Sequence, residues 1–394
     1  MTRHHKLQTF FYILILTFSL TAAHAEIISD NEFKYSLDIP EGYQVENYTE
    51  DGMSHIFSHP NIPVTLVLKV YDDKSLNDSK NVLSTALTKL SANFDADSFN
   101  WSNAQCAVSS FKMNLDQAYK GWAVAAPSQT KGAFITVLCY APEKQFDACQ
   151  QFIISTINSL CINADFYNVP GIITSYAFPS EGKKTVSAAI GGKKITAATD
   201  SVDKDAAQFA IDLEYAVLTL YANHNLWKEA WQRYYRMIYR DSYSRILPFS
   251  DAVYKSLYTQ AEKENPQNAD ITYAQYLLSW VQTFNYARNQ KKDSSDFTSL
   301  PATLLGDGND CDSRSMLVAC MLNSVGIDTI MLISREYSHA MPAAGIEAPG
   351  QTYKLEENGK EYLFGETTAK ITWGMIAQNQ SDRSKWIPVT FNHE

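Results

Sequence analysis

"GDGNDCDSRSMLVACMLNSVGI", residues 306–327, runs from a glycine- and aspartate-rich loop into a nearly unbroken apolar segment, with Cys311 at the junction. Gly306 and Gly308 permit a sharp turn, and Asn309 or Asp310 is placed to cap a helix that starts at the cysteine. Met316 to Leu322 is apolar on every helical face, which predicts a central buried helix, and Gly326 ends it. A thiol on the first turn of such a helix lies where unpaired backbone N–H groups and the positive end of the dipole converge. That position favours a thiolate and can receive the oxyanion formed when sulfur attacks a carbonyl. Asp310 and Asp312 oppose thiolate formation, so the helix alone does not suffice and a nearby histidine is required.

Around this stretch the chain is predicted to alternate helix and strand. A helix "ITYAQYLLSWVQTFNYA" (271–287) precedes the polar stretch 288–299. After the cysteine helix come a strand "TIMLIS" (329–334), then "SHAMPAAGI" (338–346) and "EYLFGETT" (361–368). Removal of a signal segment leaves five histidines: His55, His59, His224, His339 and His393. The first three belong to other blocks and His393 is the penultimate residue, so His339 is the partner expected for Cys311. Glu366 follows the apolar pair Leu363 and Phe364, and a carboxylate there needs a partner such as the histidine.

These residues resemble the transglutaminase-like group of papain-fold cysteine enzymes, over about the last 125 residues. The resemblance implies Cys311 as nucleophile, His339 as general base and acid, and Glu366 as the orienting carboxylate, where Asp is commoner. Gln282 would be an oxyanion-side polar residue, with Trp280 the alternative. It also implies a papain-like domain in which the nucleophile helix packs on an antiparallel sheet. The implied activity is attack on a protein or peptide amide through a thioester, with hydrolysis favoured over amine crosslinking. A non-catalytic envelope scaffold built on a silent fold is the alternative class. No metal or organic cofactor is implied.

The rest of the chain predicts an α+β protein of several blocks. Residues 1–25 carry Arg3 and Lys6, an apolar run from Phe10 to Leu20 and a small-x-small site ending at Ala25. This pattern predicts a secretory signal and an exported, periplasmic or secreted protein with no membrane insertion after cleavage. Residues 26–163 hold short β-rich runs such as "FKYSLDIP", "PVTLVLKVY" and "AFITVLCYAP", with helices near 80–94 and 145–160, which predicts a small α+β sandwich. The opening "FKYSLDIPEGYQV" and this order resemble PsbP-like or DcrB-like envelope domains. Cys106, Cys139, Cys149 and Cys161 cluster in this block and, in an oxidising compartment, have the numbers for up to two disulfides, with three connectivities open.

Residues 164–265 are predicted to form a hairpin turned by Gly191 and Gly192, then helices; residues 266–394 form the catalytic block. "WKEAWQRYYRMIYRDSYSR" (227–245) interleaves Arg233, Arg236 and Arg240 with aromatics. In a protein of net charge −10 these are read as helix-interface residues rather than a nucleic-acid surface, and no nucleic-acid partner is expected. His55 and His59 lie about 13 Å apart along a strand, too far to share an ion.

Overall fold

The computed structural model describes residues 27–73, 75–287, 294–306 and 310–391. The proposed signal segment and its cleavage site, Gly308, Asn309, residues 288–293 and His393 lie outside the described residues. The fold is a mixture of α and β with several antiparallel sheets and a helical middle. Its helices are α1 (Ser79–Lys89), α2 (Phe146–Asn158), α3 (Ile172–Ala177), α4 (Asp203–Thr219), α5 (Trp227–Glu264), α6 (Ala269–Val281), α7 (Leu300–Thr303) and α8 (Cys311–Asn323). Among the described residues no helix is long and apolar enough to cross a membrane.

The first block holds a three-stranded sheet of Ile27–Asp30, Tyr35–Asp38 and Leu160–Cys161 and a larger, eight-stranded sheet. Its path runs Gln44–Tyr48, Ser54–Ser58, Thr65–Asp72, Ala133–Pro142, Ala118–Pro127, Ala104–Asn114 and Asn93–Phe94, and Asp97–Trp101 also pairs with Ala104–Asn114. The two-residue period of its strands divides the apolar side chains between two layers. Leu66, Leu68, Val70, Val124 and Val137 pack with Phe152, Ile153 and Ile157 of α2. Ala123, Ala125, Leu138 and Phe111 pack with Val82, Leu83 and Leu87 of α1 on the other face. The expected disulfides are not made: Cys106, Cys139, Cys149 and Cys161 are free, buried thiols. All four serve as apolar filling in the α2-side core. The Cys139 thiol lies 3.5 Å from the Tyr43 hydroxyl, and Cys161 points at the Ser159 and Phe166 carbonyls.

The hairpin forms as the sequence predicts, with Lys183–Ile190 paired to Lys193–Asp200 and both central glycines at positive φ, 55° and 77°. Its apolar side chains Val186, Ile190 and Ile195 belong to the same core as α5, α6 and α8. Helix α5 is the spine of the molecule: at 38 residues it spans about 57 Å. One side of it faces the first block through arginines. Arg233 donates to the Asp38 carbonyl, Glu214 and the Ser155 hydroxyl. Arg236 holds the Asp38 carboxylate through two bonds, and Arg240 caps the carbonyls of Val169, Asn158 and Leu160. The interface reading of this helix stands, because its three interleaved arginines are spent inside the protein.

The last block is a five-stranded antiparallel sheet ordered Thr352–Lys354, Glu361–Phe364, His339–Ala344, Thr329–Ser334 and Ile387–Val389. Met331, Ile333, Ala340, Ala344 and Leu363 face the α8 side. Ile330, Leu332, Met341, Ala343 and Phe364 face away and pack under Trp386. From Met316 to Leu322 every residue of α8 is fully buried. Gly326 takes φ +83°, and the Ile327 N–H returns to the Leu322 carbonyl to close the helix end.

Candidate active site

Cys311 is the first residue of α8. Asp310, in extended backbone conformation, is its N-cap and accepts at Oδ1 from the Ser313 N–H (3.0 Å) and hydroxyl (2.8 Å). The thiol is fully buried and receives the Ala340 backbone N–H, which places it beside the residue that follows His339. The pairing has a structural origin. Residues 339–344 form the middle strand against which α8 packs, and the Ser315 hydroxyl on the next turn of α8 donates to the Ala340 carbonyl (3.1 Å). Burial pushes the Cys311 thiol well above its ordinary value, and the charges of Asp312 and Asp310 push the same way, while the Ala340 N–H works against them. The thiol itself points at Asp312 Oδ1, 3.3 Å away.

His339 begins its strand after a turn whose last residue, Ser338, sits at φ +48°. Its Nε2 lies 2.8 Å from Glu366 Oε2, which leaves Nδ1 as the ring nitrogen for other work. Glu366 follows the strand Glu361–Phe364 by two residues. Its second oxygen accepts from the Thr368 N–H (2.7 Å) and hydroxyl (2.6 Å). Burial alone would raise its carboxyl, but the bonds from His339 and Thr368 outweigh burial and hold it below the usual range, so it is a carboxylate. Trp386 lies over this pair, its ring 6.2 Å from the imidazole, and it also contacts Tyr337 and Phe364. An indole there shields the Glu366–His339 bond from water.

Gln282 is not an oxyanion donor in this arrangement. It ends α6, and its Nε2 spends both hydrogens on the carbonyls of Glu366 (2.8 Å) and Ile371 (2.9 Å). Its amide therefore fixes the loop that carries the acid. Trp280, the alternative, is buried against Phe249 and Phe284. Two residues that pattern reading passed over adjoin this arrangement. Arg314, one turn into α8, donates to the carbonyls of Thr367 and Phe284 (3.2 and 2.8 Å). Trp386 is the other. A buried arginine in an otherwise apolar helix was the available signal for Arg314; Trp386 carried none, since an isolated aromatic near a chain end has no periodicity.

Cys311, His339 and Glu366 thus come from a helix N-terminus, a strand start and a loop after the neighbouring strand; His339 and Glu366 are bonded to each other, and Cys311 is tied to the strand that His339 begins through the Ala340 amide. No protein-family model matches the chain. No curated protein matches it. Among solved structures it is similar to the cyanobacterial PsbP (CyanoP) of Synechocystis sp. PCC 6803, at 13% identity over 36% of this chain and 95% of that one, with a TM-score of 0.30. It is also similar to the Ran-binding protein Mog1p of Saccharomyces cerevisiae, at 7% identity over 35% of this chain and 94% of that one, with a TM-score of 0.27. A Bacteroides thetaiotaomicron protein is similar over 83% of this chain and 88% of its own, at 10% identity and a TM-score of 0.26. At these identities and TM-scores nothing about this chain's fold or function follows from them.

Proposed function

We propose that the protein is an exported cysteine enzyme of transglutaminase-like, papain-fold type that attacks a protein or peptide amide. The observation that carries this reading is the Glu366–His339 bond at Nε2, which leaves Nδ1 of a ring adjoining the Ala340 amide that the Cys311 thiol accepts from. Because burial holds the sulfur as a thiol, the imidazole takes its proton as the sulfur–carbon bond forms, rather than a thiolate standing ready. The tetrahedral oxyanion collapses as His339 returns that proton to the amine, the carbon–nitrogen bond breaks, and a thioester remains. Water, deprotonated by the same ring, then releases the acid. Hydrolysis is the favoured outcome; a lysine amine in place of water would give a crosslink. Export rests on the signal pattern of residues 1–25.

One observation favours a second reading. The thiol is fully buried and its acidity is suppressed, as expected of a silent fold retained for binding. Casein incubated with the protein separates the two. New N-termini or released ammonia supports hydrolysis, and incorporation of a small primary amine supports transfer. Activity that survives in Cys311→Ala overturns the cysteine mechanism. Absence of any reaction, with iodoacetamide labelling Cys311 only under alkaline conditions, establishes the silent reading.

A further inference from the structure

A cavity of about 490 Å³ lies where the three blocks meet, and the proposed reaction does not use it. Its size is within the roughly 300–1,000 Å³ of small-ligand sites, which favour such junctions. The first block gives it Asp38, α5 gives it Arg236, and the last block gives it Ile330 and Asn358. Ile330 is four residues before Ser334, the strand partner of His339, so about 13 Å of strand separates the cavity from the proposed base. The charged side chains of its wall are Asp38, Glu357, Arg236 and Arg240, two of each sign. Asp38 takes two bonds from Arg236, and Arg240 is spent on three backbone carbonyls. Glu357 is exposed, so water and salt screen it. A charged ligand would therefore lose its hydration here without finding a free counter-charge, and the wall selects a neutral one.

Neutral hydrogen-bonding capacity, in contrast, is left over. Gln232 gives its Nε2 to the Pro388 carbonyl (2.7 Å), but its Oε1 has no partner among the described residues, and neither has the Thr390 hydroxyl or Arg236 Nη1. The wall thus offers an acceptor, a donor and a hydroxyl that is both. Beside them the rings of Tyr239 and Phe391 stack at 4.0 Å, and with Tyr362 they give the same cavity its aromatic surface. We infer that this cavity binds a neutral carbohydrate of about disaccharide size. A pyranose carries both required features in one rigid, uncharged unit: hydroxyls around its rim that donate and accept, and a C–H face that lies against aromatic rings. A neutral peptide is the competing occupant. Peptides are held through rows of backbone groups along a strand edge, whereas the groups on offer here are single side chains from three separate blocks.

The test needs no turnover, so its outcome is independent of the catalytic proposal. The full chain is titrated in a calorimeter with cellobiose, maltose and N,N′-diacetylchitobiose, and separately with an alanine tripeptide blocked at both ends, while thermal unfolding is followed in parallel. Saturable binding of at least one sugar, at one site per chain, is expected. Because the wall draws on all three blocks, the bound sugar should also raise the unfolding temperature. Thr390→Val removes the hydroxyl at nearly constant shape, and Asn358→Ala removes an amide from an exposed turn. Each should weaken sugar binding about three- to tenfold, the loss expected for one neutral hydrogen bond, whereas Cys311→Ala should bind as the parent does. Two variants guard against one failing to fold. Binding of the blocked tripeptide in place of the sugars, no binding of any sugar up to about 10 mM, or equal sugar binding by the parent and a folded variant would overturn the site.

Discussion

At the scale of single residues, Glu366 lies 2.8 Å from His339 Nε2, and in the proposed mechanism it orients the ring and supplies the charge that an imidazolium needs. Glu366→Gln keeps the shape and an acceptor but loses that charge, so turnover should fall by roughly 10- to 10⁴-fold without vanishing. Cys311→Ala and His339→Ala should each abolish it, and the double variant should be no worse than either single one. Steady-state rates on a casein-type substrate check all four; a folded His339→Ala protein with unchanged rate would sink the mechanism. Gln282 acts differently, through backbone alone. Gln282→Leu leaves two partly buried carbonyls without a donor, and unfolding in urea should show a loss of about 1 kcal/mol. Sequence reading singled out Cys311, His339 and Glu366 because each breaks a local pattern: a thiol at a helix start, a histidine opening a strand, an acid after an apolar strand, and of these the His339–Glu366 pair is joined by a hydrogen bond. It misplaced Gln282 because the direction of a side-chain amide depends on carbonyls 84 and 89 residues away.

At the scale of elements, the glycine pair of the hairpin and the all-round apolar run of α8 are local signals, and both elements formed where they pointed. The partners of α5 were not legible in this way. Its arginines read as interface residues from composition, but Asp38, Glu214 and the carbonyls of 158–169 are distant in sequence and carry no periodic mark. The free cysteines have the same cause: a disulfide count follows compartment, whereas packing places each thiol in its own apolar surroundings. Arg233 provides the sharpest test of the α5 interface. It is 2% exposed and pairs with Glu214, also 2% exposed, at 2.7 Å. Arg233→Met removes one partner and leaves a buried carboxylate with only the Ser155 hydroxyl, so stability should drop by about 3–5 kcal/mol. Adding Glu214→Gln should recover much of the loss, because the stranded charge, not the missing attraction, is the main cost. Equal stability of single and double variants in denaturant titrations would contradict this account.

At the scale of the whole molecule, the same interface contains a titrating group that couples stability to pH. Glu41 is 3% exposed, and neither of its carboxyl oxygens has a hydrogen-bond partner. Its backbone carbonyl is taken by the Tyr221 hydroxyl and contacted by His59 Nε2. Burial raises its carboxyl to about 7, Asp38 adds to this, and Arg233 and Arg236 only partly offset it. The unfolded value is near 4.5. A raised acid favours folding while it is protonated, so its contribution is complete below pH 4.5 and disappears as pH climbs to about 7. Burial also shifts the His59 imidazole down from its ordinary value, so wild type alone would blend the two titrations. Comparison with Glu41→Gln isolates the acid. The amide is neutral at every pH, so the stability difference between the two proteins should be flat at pH 4 and below. It should then move in favour of glutamine with rising pH, by on the order of 3 kcal/mol at pH 8. Denaturant midpoints at pH 4, 6 and 8 measure it. A difference that does not change with pH would mean that Glu41 ionises freely in the folded protein, and that the first block and α5 open enough there to let water reach it.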